Sequence, residues 1–116
     1  MSHNATKSLA EGTAKRPSMG FINNEMKMLF KDDICLTECW GPVQMCVYRM
    51  DYIHIPSGYK IIFECERGVI VAQIANNDII TYLTEIYPEA NYLHYENKEA
   101  DLKHLINLVY KAISDI

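Results

Sequence analysis

Between residues 25 and 75 the chain alternates apolar and polar side chains with a period of two, rich in β-branched and aromatic residues, which predicts strands. The first stretch is ambiguous. Met26, Met28 and Phe30 alternate with Lys27, Leu29 and Lys31, but Phe21, Ile22, Met26, Leu29 and Phe30 also make a helical stripe. Segment 34–40 places Ile34, Leu36, Glu38 and Trp40 on one face, and Gly41-Pro42 is expected to break the chain. Segment 43–55 puts Val43, Met45, Val47, Ile53 and Ile55 on one side, interrupted by Arg49 and Asp51. Cys46, Tyr48, Met50, Tyr52 and His54 fall on the other. After a Pro56-Ser57-Gly58 turn, segment 59–66 carries Tyr59, Ile61, Phe63 and Cys65 against a mostly charged face. Arg67-Gly68 reads as a tight reversal into VIVAQIA, 69–75, which is apolar on both faces and so expected to be a central or covered strand.

After Ala75 the period becomes helical. Asn76 or Asn77 is a fair N-cap, Ile79, Ile80, Leu83, Ile86 and Tyr87 form a stripe, and Pro88 stops it. Residues 91–96, NYLHYE, fit a short strand or an ordered loop. From Glu96 or Asn97, Leu102, Leu105, Ile106, Val109 and Ile113 recur at helical spacing. The pattern predicts an α+β fold: an antiparallel meander of four or five strands, followed by two helices packed on one face.

Length and charge narrow the function. The 116 residues suit one domain, with 1–20 read as a flexible polar leader and 21–116 as a single α+β domain. The leader has no continuous apolar core of a secretory signal, which points to a cytoplasmic protein. Its local charge is +2, which leaves residues 21–116 at −6 within a chain of net −4. That balance argues against a nucleic-acid partner gripped through many phosphates. No apolar run approaches the roughly 20 residues that span a bilayer, so no membrane partner is expected.

Catalytic and metal signatures are missing. The chain has no G-x-S-x-G elbow, Walker loop, H-E-x-x-H or G-x-G-x-x-G, so no cofactor is expected. Cys35, Cys39, Cys46 and Cys65 are spaced C-x3-C-x6-C-x18-C, without the paired knuckles of a structural zinc site. On a regular strand Cys35 and Cys39 would share a face about 13 Å apart, too far for one metal. Cys39 and Cys46 could still be neighbours across the following turn. Asp51 and His54 are three apart on a strand and therefore face opposite sides, which argues against an acid/base pair.

The feature carrying most weight is tyrosine beside acid. The chain has eight tyrosines against three phenylalanines and one tryptophan. Tyrosine offers a large contact face with a polar tip and is enriched at interfaces. Tyr87, Glu89, Tyr92, His94, Tyr95 and Glu96 form the first candidate partner-binding patch, and Tyr48, Asp51, Tyr52 and His54 a second. Such a surface suits docking to a basic protein.

In size, acidity and a motif-poor α+β layout ending in NYLHYENKEADLKHLINLVYKAISDI, the chain resembles the small acidic immunity proteins paired with bacterial secreted toxins, of the contact-dependent growth inhibition type. The likeness is one of general style without a shared motif, so it transfers no binding residue. It implies a cytoplasmic, non-enzymatic inhibitor that occludes a cognate toxin, such as a basic nuclease. Two other readings stand beside it. One is a small enzyme or ligand-binding domain with a pocket between sheet and helices. The other is an assembly subunit that pairs through a strand edge, forming at most a weak homodimer.

Overall fold

A computed structural model describes residues 17–43, 47–66, 69–92 and 99–116, with the side chains of 17, 18, 91 and 92 left aside. Helix α1 (Pro17–Phe30) leads through a 3-10 turn at Lys31–Asp33 into β1 (Ile34–Val43). Strands β2 (Val47–His54), β3 (Lys60–Glu66), β4 (Val69–Asn76) and β5 (Ile79–Tyr82) follow. A single turn, α2 (Leu83–Ile86), and a 3-10 turn at Pro88–Tyr92 precede helix α3 (Glu99–Ser114). The strands form one sheet in the order β1-β2-β3-β4-β5, every pair antiparallel, so the expected α+β meander is present with five strands.

Three expectations change. The ambiguous segment before residue 31 is helical: Met19, Ile22, Met26 and Phe30 are buried at spacings of three and four, the geometry of one helix face. This helix opens at Pro17, inside the stretch read as leader, and Met19 belongs to the core. Residues 1–16 lie outside the described residues.

The stripe at 79–87 is not a helix. Asn77, with φ 55, turns the chain between Asn76 and Ile79, which pair across the β4–β5 hairpin. The β-branched and aromatic run Ile79-Ile80-Thr81-Tyr82 continues as a strand, leaving one helical turn before Pro88. The layer covering the sheet is therefore α1 with α3 rather than two helices that both follow it. These pack on each other, with Phe30 and Tyr110 edge to face at 5.0 Å between centroids.

Gly41-Pro42 does not end β1 either. The strand runs through this pair to Val43, with a cis peptide bond between the two residues. Gly41, at φ 87, brings its backbone against β2, and a Cβ there would sit 2.8 Å from the Tyr48 Cα. Only glycine combines that φ with that approach.

The core lies between one sheet face and the helices. β1 gives Leu36, β2 gives Tyr48, Met50 and Tyr52, β3 gives Ile61, Phe63 and Cys65, and β4 gives Ile70, Ala72 and Ile74. Leu102, Leu105, Ile106, Val109 and Ile113 of α3 close over them, as their spacing predicts. Leu83 and Ala90 join the same core, so every described helical segment buries its apolar residues on this one side of the sheet.

Candidate docking face

The other sheet face is built by alternation from β2 to β5 and by two irregularities in β1, one between Leu36 and Glu38 and one between Trp40 and Val43. Leu36 pairs with Tyr52, but Glu38 pairs with Asp51, so Thr37 is an extra residue and the register shifts. Such a bulge reverses which way all later side chains point. Ile34 and Leu36 face the core, whereas Glu38 and Trp40 turn to the outer face, correcting their grouping on one side. The same shift separates Cys35, opposite Ile53 on the outer face, from Cys39, opposite Met50 on the core face. Cys65 is buried in the core, and Cys46 lies outside the described residues. Among the described residues no three His, Cys, Asp or Glu side chains converge on a metal position.

Cross-strand register then sets two rows on the outer face. One runs Trp40–Arg49–Glu64–Val71 and the next Glu38–Asp51–Ile62–Gln73–Tyr82. Polar contacts fix the centre. Arg49 Nε donates to Asp51 Oδ1 at 2.7 Å and Arg49 Nη2 to Asp51 Oδ2 at 3.1 Å, a two-pronged pairing. Arg49 Nη1 also lies 3.8 Å from Glu64 Oε2, and Gln73 Nε2 donates to Glu64 Oε1. Thr37 Oγ1 donates to the Asp51 carbonyl oxygen at 3.2 Å, tying the bulge to β2. The hydrogen bond to Asp51 holds the Arg49 guanidinium more firmly in its charged form.

Around this centre the face is aromatic and apolar. Trp40 is 42% exposed near one end and Tyr82 48% exposed on β5, and Val69, Val71 and Ile80 are also exposed. Near Tyr82 the face sinks into a depression of about 530 Å³ lined by Glu64, Glu66, Val69, Val71, Gln73 and Tyr82. VIVAQIA is an internal strand between β3 and β5, as expected, and its second face is exposed at Val69 and Val71 but buried at Gln73 and Ala75. Glu38, Asp51, Glu64 and Glu66 outnumber Arg49 and Lys60, so the face is net acidic.

Of the sequence-selected residues whose side chains are described, Asp51 lies in this site and the others lie elsewhere. Tyr48 and Tyr52 are core residues under the helices, so they line no accessible pocket between sheet and helices. The Tyr52 hydroxyl donates to Asn23 Oδ1 of α1 at 2.9 Å, its ring meets Phe63 edge to face, and burial pushes its pKa well above the ordinary tyrosine range. His54 is half-buried on the same side, its Nδ1 2.7 Å from Ser57 Oγ and its ring edge-on to Phe30. Asp51 points to the opposite face, as its spacing from His54 predicts. The second candidate patch is thus not one surface.

Of the first patch, Tyr87 is half-buried against the core with Lys111 Nζ 5.1 Å from its ring centroid. Glu89 is exposed, with Oε2 3.9 Å from His104 Nε2. The side chain of Tyr92, and all of His94, Tyr95 and Glu96, lie outside the described residues. Sequence reasoning missed Trp40, Val71, Gln73 and Tyr82. The available signal is the apolar second face of β4, which fits a central or covered strand equally well.

No protein-family model matches the chain, and neither the curated proteins nor the solved structures give a match. Among the described residues no helix is long and apolar enough to cross a membrane.

Proposed function

We propose that this chain is a stoichiometric protein-binding inhibitor of the immunity-protein kind, occluding a basic partner through its outer sheet face and transforming nothing itself. The observation that carries the reading is the pairing of two exposed aromatic side chains, Trp40 and Tyr82, with an ion-paired acidic centre on a face that no described helix covers. Aromatic anchors supply most binding energy at interfaces, and complementary charge speeds encounter and rejects wrong partners. Arg49, Asp51, Glu64 and Gln73 hold each other in place, so little side-chain freedom remains to be lost on docking.

Dimensions set the footprint. Four inter-strand gaps of about 4.8 Å and seven residues of about 3.3 Å give a face of roughly 20 by 23 Å. That is roughly 450 Å², against about 800 Å² per partner in a standard interface. The footprint must extend past an edge, onto neighbours such as Val43 or Ile80. Strand-edge assembly is less favoured. β5 has only four residues, the backbone N–H of Tyr82 is taken by Glu85 Oε2 at 2.8 Å, and β1 is bulged and carries Pro42.

Tagged wild-type chain and a Trp40→Ala/Tyr82→Ala variant, each co-expressed with the protein of the neighbouring reading frame, test the proposal. Wild type should retain that protein at one-to-one stoichiometry and the variant should lose it, while Met28→Ser on the exposed side of α1 behaves as wild type. Equal retention by the face variant would sink the reading.

A further inference from the structure

The depression beside Tyr82 carries a more specific assignment, which rests on the docking reading above. We infer that it receives an arginine side chain of the partner, laid across Val69 and Val71 with its guanidinium between the Tyr82 ring and the Glu66 carboxylate.

Its chemistry is divided in the way such a side chain is divided. Val69 and Val71 expose apolar surface that fits a methylene stem. Tyr82, opposite Gln73 on β5, offers a half-exposed ring on which a planar cation can lie. The two carboxylates differ. Glu64 is already engaged by Arg49 and Gln73, so it is a fixed wall. Glu66 is exposed and has no cation partner among the described residues. Lys60, the other described base of this face, is six residues away along β3, about 20 Å and well beyond the screening length of about 8 Å at physiological salt. Among the described residues, one negative charge thus has no ion pair at one rim of an apolar hollow whose lining also includes the Tyr82 ring. A neutral side chain would satisfy the valines but not Glu66. Lysine would satisfy the charge but could not match the carboxylate with two parallel donors.

The probe is a capped Gly-Arg-Gly peptide titrated into the isotopically labelled full chain, with Gly-citrulline-Gly and Gly-Lys-Gly peptides as comparators, followed by amide shifts. The arginine peptide should move the amides of Glu64, Glu66, Val69, Val71 and Tyr82 with saturable, salt-sensitive behaviour. Citrulline should leave them unmoved and lysine should bind more weakly. Glu66→Gln, an exposed and isosteric change, should weaken arginine about five-fold, the loss of one screened charge contact. Tyr82→Leu should weaken it by a comparable factor while its melting curve stays cooperative.

Shifts elsewhere, or equal shifts with citrulline, would overturn the assignment. Retained partner capture by Glu66→Gln and Tyr82→Leu alongside loss by Trp40→Ala would overturn it while sparing the docking reading. Partner capture indifferent to Trp40 would overturn the docking reading itself.

Discussion

Arg49→Met is the sharpest perturbation of the outer face. Arg49 makes two hydrogen bonds to Asp51, whose side chain is only 5% exposed, while the Arg49 side chain is 33% exposed. Methionine keeps length and apolar contact but leaves Asp51 a nearly buried anion without its cation. Removing one partner of a fully buried pair costs about 3–5 kcal/mol. Exposed pairs contribute about 0–1 kcal/mol. With one partner buried and the other a third open to solvent, the expected loss lies between these, about 2 kcal/mol. At a urea slope of about 1.5 kcal/mol per molar, the midpoint should fall by about 1.3 M. Far-UV circular dichroism is the suitable probe, because Trp40 neighbours Arg49 across β1 and β2 and its fluorescence would report local change. Asp51→Asn in the Arg49→Met background should recover part of the loss, giving a coupling of about 1–2 kcal/mol in a double-mutant cycle. A midpoint within about 0.3 M of wild type would refute the argument that this lattice is held by a desolvated pair.

Two further outcomes follow from the core and the bulged strand. Tyr52 stays neutral in the folded chain beyond the pH at which the unfolded chain ionises it, so its contribution is complete below about pH 10 and declines above it, by up to about 1.4 kcal/mol per pH unit. Tyr52→Phe should cost about 1–3 kcal/mol near neutrality by stranding Asn23, and the gap to wild type should narrow above pH 10; a gap constant with pH in urea titrations would contradict this. Gly41→Ala should lower stability by more than about 1 kcal/mol in thermal melts, since the new Cβ meets β2 and φ is 87, whereas Gly58→Ala, with open space around it, should cost less.

Much of the fold is written in short-range periodicity. β3 and α3 repeat one period long enough to be read, and their buried faces are the ones the pattern assigns; in β2 the pattern separates two faces without saying which is buried, and Tyr48 and Tyr52 lie on the buried one. What escaped is non-local. Thr37 carries no local mark of a bulge, yet it decides that Trp40 faces outward and so decides the candidate site. Ile79, Ile80 and Leu83 suit a helix stripe as well as a strand, and pairing with β4 selects between them. At Tyr48 and Tyr52 the tyrosine-rich signal points to a surface where the structure has core, for a related reason. Composition does not distinguish a phenol that caps a core contact, as Tyr52 does with Asn23, from one presented to a partner, as Tyr82 is.

Trp40 is the chain's only tryptophan and lies on the face assigned to docking, so its fluorescence reads the central claim without a label. In the free chain the half-exposed indole should be readily quenched by acrylamide. In complex with the captured partner its emission should shift to shorter wavelength and quenching should fall several-fold. Emission and quenching unchanged at full occupancy would place the partner elsewhere and contradict the account.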